Sequence, residues 1–391
     1  MKFKLTNLLL LKKILLSFLF LCFFLELSAQ ENGDVEKKID SIISVLSIDE
    51  KIAMCHAQSK FSSAGVPRLG IPELWMSDGP HGIRAEMNWD NWNYANWTND
   101  YITAFPALTC LAATFNPDLS KEYGVSLGEE ARYRNKDVLL GPGVNIYRTP
   151  LNGRNFEYMG EDPHLASAMV VPYIHGIQQS GVAACVKHYA LNNQEHWRGH
   201  INVEVSDRAL HEIYLPAFKA AVQDGNAWAI MGAYNKFRGQ HCCHNQILLN
   251  DILKNKWKFD GVVISDWAGT HDTNEAIYNG LDIEMGTPSN SNISKRFPYN
   301  NSFLAQPFLD KIITGEVEEY LLNDKVKRIL RLMYRTSLNK NRPFGSVNNK
   351  KHLNTAYKVA TEGIVLLKNT DGFLPIDISR EITIAVIGEN A

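Results

Sequence analysis

The sequence predicts an α/β fold, a (β/α)8 TIM-type barrel of irregular build, on three observations. Apolar, β-rich runs recur between helix signals without polar alternation, as strands buried on both faces require. Four of these runs end in polar or charged residues on the same side, where a barrel assembles its site from several strands at once. No Gly-rich phosphate turn follows any of them, whereas a doubly wound sheet gathers its ligand at one switch point and often carries such a turn. The chain has 391 residues, 45% hydrophobic and 21% charged, with a formal net charge of −2. This composition excludes coiled-coil, collagenous and disordered classes. It also lacks the basic surplus of a nucleic-acid binder or a polybasic membrane-surface protein.

The elements follow in chain order. Lys2, Lys4, Lys12 and Lys13 precede the apolar run from Ile14 to Leu25, and Leu27-Ser28-Ala29 resembles a small-residue cut site. Residues 1–29 therefore read as a signal peptide of a secreted or periplasmic protein, because the apolar run is short for a bilayer span. No membrane contact is expected after its removal. Ser47-Ile48-Asp49-Glu50 reads as a capping box. Strands are expected at residues 74–76, 138–140, 182–186, 227–231 and 262–264. Asn116-Pro117 and Asp162-Pro163 each place an N-cap residue before a Pro at the first helical position, and the second of these helices stops at Gly181. A further helix runs from Ser206-Asp207 to near Gly225. The barrel is expected over residues 30–340, and a linker with a connecting helix (356–368) over residues 341–380. Residues 381–391 read as a parallel-type strand with a turn.

Five cysteines follow the leader, an odd and sparse set that makes no disulfide framework. His241-Cys242-Cys243-His244 lacks the ligand spacing of a zinc site, so neither a metal nor another cofactor is expected.

The chemistry lies just after the strands. Ser77-Asp78-Gly79-Pro80, Lys187-His188-Tyr189, Gly232-Ala233-Tyr234-Asn235 and Ser265-Asp266-Trp267 each close one of the runs. Asp78 and Asp266 are carboxylates at the ends of buried strands, where an unpaired charge is costly. Arg84, Arg154, Lys187 and His188 are the available partners. Acids, bases and Asn flanked by Trp suit a sugar, whose hydroxyls need paired donors and acceptors and whose C–H face lies against a ring. Trp89, Trp92, Tyr94 and Trp97 crowd one loop, as a wall for such a sugar or as a hydrophobic lid.

Five segments in order then resemble glycoside hydrolase family 3, of the β-glucosidase type. They are Ser77-Asp78-Gly79-Pro80-His81-Gly82-Ile83-Arg84; Leu151-Asn152-Gly153-Arg154-Asn155-Phe156-Glu157-Tyr158 with Gly160-Glu161-Asp162-Pro163; Lys187-His188-Tyr189; Met231-Gly232-Ala233-Tyr234-Asn235; and Gly261-Val262-Val263-Ile264-Ser265-Asp266-Trp267. The resemblance implies a retaining, exo-acting β-glycosidase acting on a β-linked oligosaccharide or glucoside, with Asp266 as the nucleophile. It implies that Asp78, Arg154, Lys187 and His188 bind sugar hydroxyls and that Arg84 orients Asp78. Tyr234 would lie beside the nucleophile, Met231 would line the subsite, and Trp267 would stack on the sugar. The resemblance also implies that residues 381–391 are the first strand of a truncated second domain, an α/β sandwich; the general acid/base of the family comes from that domain, and no residue of this chain matches it. Lys187-His188 runs into Tyr189-Ala190-Leu191 rather than the Lys-His-Phe-Pro-Gly-His-Gly loop of members that cleave N-acetylglucosaminides. Trp267 stands where xyloside-cleaving relatives tend to have Cys. Both features favour a gluco-configured substrate. The alternatives are a β-xylosidase or another specificity of the family and, in a different class, a sugar-binding fragment without turnover.

Overall fold

The computed structural model describes residues 33–98, 100–286 and 301–389, so the expected leader lies outside the described residues. Nine strands are assigned among them: β1 (Ser62–Ser63), β2 (Leu74–Asp78), β3 (Val138–Leu140), β4 (Ala183–Tyr189), β5 (Asn202–Val203), β6 (Ala229–Gly232), β7 (Lys236–Phe237), β8 (Gln240–His241) and β9 (Val262–Ile264). The main sheet runs β1-β2-β3-β4-β6-β9, and every pair after the first is parallel. β5, β7 and β8 form a small separate sheet. Bridges carry the main sheet onward from Ile264 to Ile283, from Glu284 to His56, and from Ala57 back to Ser63. The result is a TIM-barrel-like α/β fold. β3, β4 and β9 are buried throughout, as continuous apolar strands covered on both faces must be.

All five expected strands are present, but β4 continues through Lys187, His188 and Tyr189, which the sequence reading places after the strand. The first sheet member, β1, is an antiparallel pair of serines with no apolar signal. The capping box at Ser47 forms in both directions. Asn116 and Asp162 each accept a backbone N–H as N-caps, of Leu119 and His164. The helix expected from Ser206 to Gly225 is broken: a π-helical turn at Leu210–Tyr214 separates residues 207–209 from a helix at Pro216–Gln223. Pro216 offers no N–H, so the ladder cannot pass through it unchanged.

The C-terminal expectations need correction. The connecting helix occupies Lys350–Glu362, not 356–368. Asn349 caps it by accepting the His352 N–H, and the His352 ring bridges Glu130 at 2.9 Å and Glu129 at 2.8 Å, which docks the helix on Pro117–Tyr133. Residues 381–387 form no strand: Ile382, Ile384, Val386 and Ile387 are exposed, and they pair with no backbone among the described residues. No helix among the described residues is long and apolar enough to cross a membrane.

Glu284, which bridges to His56 at the closing seam, sets a pH signature for stability. Burial raises its pKa from 4.5 to about 7, only partly offset by the backbone N–H groups of Leu304 and Phe303. Between those values the folded chain keeps a proton that the unfolded chain releases, so stability is greatest at low pH and falls as pH rises through 7. The loss from this group is about 3 kcal/mol. Glu284→Gln is expected to flatten this segment of the unfolding free energy between pH 4.5 and 7.5 in urea titrations. An unchanged slope would contradict the assignment.

Candidate active site

The ends of β2, β4, β6 and β9 meet at a cleft of about 400 Å³. Asp78, Arg154, Lys187, His188, Met231, Tyr234, Asp266 and Trp267 all line it, so the structure brings together eight of the nine predicted site residues. Arg84, the ninth, stands behind Asp78, its Nη1 at 3.4 Å from Asp78 Oδ2. Successive strand residues normally face opposite sides, yet Lys187 and His188 both reach the cleft. The pairing of β4 with β6 shifts register between Val186 and Tyr189, and such an irregularity re-aims a side chain.

Asp78 is clamped. Lys187 Nζ donates to its Oδ1 at 3.0 Å, and Arg84 holds the other oxygen. Burial pushes the Asp78 carboxyl up, but Lys187, Arg84 and Arg154 outweigh it and hold the pKa below the ordinary carboxylate value. The same pairing raises the pKa of Lys187, against a burial that favours the neutral amine. Both groups are therefore charged, ready to accept and donate hydrogen bonds to a polyol.

His188 is neutral. Burial lowers its pKa well below 6.5, and the Arg154, Lys187 and Arg198 charges lower it further. Arg154 Nη2 lies 3.0 Å from His188 Nε2, and a guanidinium can only donate, so Nε2 accepts. The ring hydrogen is then on Nδ1 and is donated to Tyr158 Oη at 3.0 Å. Arg154 is itself fixed by Glu157, 2.5 Å from its Nε.

Asp266 is the least satisfied carboxylate in the cleft. Its Oδ1 accepts the Trp267 N–H at 2.8 Å. Its Oδ2 is buried without a hydrogen bond of good geometry, 3.7 Å from His188 Nε2. Burial raises its pKa, while Arg154 and Lys187 oppose the rise from a distance and Tyr234 adds a smaller lowering effect. Tyr234 donates to the Trp267 carbonyl at 3.0 Å and stands under the guanidinium of Arg198, 4.3 Å from the ring centre. The outcome is a carboxylate that is poorly solvated, with one oxygen left open toward the cleft, where it can act as a nucleophile once ionised.

Aromatic rings build the opposite wall. Phe61 meets Trp267 at 5.2 Å and Trp92 edge-on at 5.9 Å, and Trp267 Nε1 donates to the Lys60 carbonyl at 2.8 Å. Of the crowded aromatic loop only Trp92 lines the cleft; Trp89 and Trp97 face elsewhere, and Tyr94 is exposed. Gly286 closes the rim. At φ +84°, a Cβ there would sit 2.4 Å from the Ala268 backbone nitrogen, so only glycine fits. Sequence reading missed Lys60, Phe61, Leu140, Arg198, Ala268 and Gly286. Arg198 was findable, eleven residues after Lys187 in the same polar loop. Lys60 and Phe61 were not, because they precede a strand that carries no apolar signal.

Asp78 and Asp266 are the only carboxylates lining the cleft among the described residues. Glu157 and Glu195 are turned to Arg154 and Arg198. Among the described residues no group of three or more His, Cys, Asp or Glu side chains is placed to hold a metal ion, and Cys242, Cys243 and His244 are buried in the fold.

Known proteins resemble this chain in sequence and fold. Beta-glucosidase BoGH3A of Bacteroides ovatus is 60% identical over 363 residues, covering 91% of this chain and 49% of that protein. Thermostable beta-glucosidase B of Acetivibrio thermocellus is 38% identical over 351 residues, 90% of this chain and 44% of that protein. The chain thus spans about half the length of the curated relatives it matches. The structure of beta-glucosidase 3B from Thermotoga neapolitana in complex with alpha-D-glucose superposes with a TM-score of 0.78 at 34% identity, covering 87% of this chain and 48% of that one. Residues 36–332 match the family model described as the glycosyl hydrolase family 3 N terminal domain, and the chain belongs to that family.

Proposed function

We propose that the chain carries the nucleophile half of a retaining, exo-acting β-glucosidase, which releases terminal non-reducing β-D-glucosyl residues through a covalent glycosyl-aspartate on Asp266. The observation that carries this reading is the buried Oδ2 of Asp266, which lacks a hydrogen bond of good geometry and faces a cleft otherwise lined by fixed polar groups able to bind hydroxyls. Support comes from the names of the relatives, which are β-glucosidases, and from the glucose complex of the Thermotoga protein. In this reading Asp266 attacks the anomeric carbon as the glycosidic oxygen leaves, and water then cleaves the ester. Asp78 with Lys187 accepts and donates at hydroxyls remote from the scissile bond. Arg154 and neutral His188 hold those nearer to it, and Phe61, Trp92 and Trp267 offer rings to its apolar face. A complete (β/α)8 ring, residues 341–391 as the lead into a second domain, and export by the leader belong to the same proposal.

Retention needs a second carboxyl about 5–5.5 Å from the nucleophile to protonate the leaving oxygen. Of the two carboxylates that line the cleft among the described residues, Asp266 is the nucleophile of this reading and Asp78 is clamped by cations. This observation also favours a second reading, sugar binding without turnover, and leaving-group dependence separates the two. Residues 1–391 are expected to turn over a 2,4-dinitrophenyl β-glucoside faster than cellobiose by about 10²–10⁴, the contribution of a general acid. Equal rates would reveal an acid within reach of the glycosidic oxygen, and no turnover of either would support the binding-only reading.

A further inference from the structure

The hairpin that brings Trp92 into the cleft turns a second tryptophan away from it. Asn88 N–H donates to the Asn93 carbonyl at 2.9 Å, Ala95 N–H to the Glu86 carbonyl at 2.8 Å, and Met87 bridges Tyr94 between them. This pairing fixes the tip that carries both Trp89 and Trp92. Trp89 lines a separate cavity of about 410 Å³ together with Trp75, Asn88, Trp97 and Asn135. The cavity and the cleft share no lining residue.

Its walls are braced. Trp75 and Trp89 meet edge to face at 5.7 Å, Lys136 Nζ stands 4.9 Å over the Trp75 ring, and the Arg134 guanidinium stands 5.9 Å from the Trp97 ring. Trp89 and Trp97 nevertheless remain 48% and 52% exposed, a large apolar area for a surface to leave open. The charges beneath are balanced, and all but Asp100 are buried: Lys136 donates to Glu86 at 2.9 Å, and Arg134 pairs with Asp100. Two cations against two carboxylates leave no surplus for a charged ligand, while the cation–π contacts keep the rings in place. Exposed indole faces beside the amides of Asn88 and Asn135 match a neutral ring with one C–H face and an edge of hydroxyls.

We propose that this cavity is a second carbohydrate site, which holds pyranose rings of a β-linked glucan beside the cleft through the shared hairpin. That the sugars are gluco-configured rests on the β-glucosidase reading; that the ligand is a pyranose does not. Affinity electrophoresis of the full chain through native gels containing soluble mixed-linkage β-glucan tests it, with saturating glucose present to fill the cleft. Retardation is expected to persist in glucose and to weaken about tenfold on Trp89→Ala and on Trp97→Ala, the loss of one stacked ring. Trp89→Phe, which keeps a ring, should retain most of the binding, and equal thermal midpoints should accompany the losses. Retardation abolished by glucose and indifferent to both Ala substitutions would place the glucan in the cleft and overturn the proposal, as would the absence of retardation in the parent chain. Trp-dependent retardation of the parent chain, together with no 2-fluoroglucosyl label on its Asp266, would leave this site standing and refute the enzymatic reading alone.

Discussion

Asp266→Asn is expected to lower kcat on an aryl β-glucoside by about four orders of magnitude or more, the usual cost of removing a nucleophile. The amide keeps the shape of the carboxylate and can still accept the Trp267 N–H, but it cannot form the glycosyl ester. Thermal stability should hold or rise. Burial raises the pKa of Asp266 despite Arg154 and Lys187, so folding favours its protonated form more than the unfolded chain does, and ionising it at neutral pH costs stability. That cost grows as pH rises from the ordinary carboxylate range through the raised pKa, and Asn removes it. The same shift sets the acid limb of kcat/KM, which requires the ionised nucleophile and should lie above the ordinary Asp value of 3.8. A variant with near-parental kcat, or one that melts far below the parent, would contradict this role.

Asp78→Ala should be the most damaging substitution for fold and function together. Lys187 has a side chain only 2% exposed, and Asp78 is its hydrogen-bonded counter-ion. Removing one partner of a buried pair costs about 3–5 kcal/mol, and the lower end applies here because the Asp78 carboxyl opens onto the cleft. Turnover should fall by about 10³ in kcat/KM, through lost contacts to remote hydroxyls that position the reacting carbon. The pH dependence has the opposite sign to that of Asp266. The pKa of Asp78 is lowered, so its contribution is present above the ordinary carboxylate value and is lost as pH falls through the lowered one. Asp78→Asn, which keeps an acceptor for Lys187, should recover part of the stability and little of the turnover. Equal behaviour of the two variants would mean that a neutral acceptor contributes nothing at this position and that Asp78 acts through its charge alone.

The legible parts of this molecule were those where burial leaves a continuous trace. β2, β3, β4, β6 and β9 read as apolar runs because both faces are covered, and the site followed because a barrel gathers its chemistry at the ends of such runs. Ser62 and Ser63 form a sheet member with no apolar pattern, which hid Lys60 and Phe61. The aromatic loop was legible as aromatic, but its division was not: hairpin pairing at residues 86–95 decides that Trp92 faces the cleft and Trp89 does not. The helix at Lys350–Glu362 begins where His352 finds Glu129 and Glu130, a contact more than 200 positions apart in sequence that no local period encodes. Residues 381–387 have the composition of a strand but no pairing neighbour among the described residues, and composition alone does not make a strand.

The central claim is that Asp266 becomes glycosylated. Incubating the folded chain with 2,4-dinitrophenyl 2-deoxy-2-fluoro-β-glucoside, which needs no acid catalysis to leave, and mapping peptides by mass spectrometry tests it directly. One 2-fluoroglucosyl group on the peptide containing Asp266, absent in Asp266→Asn, is the predicted result. An unlabelled Asp266 in a chain that remains folded, or a label on another residue, would contradict the account.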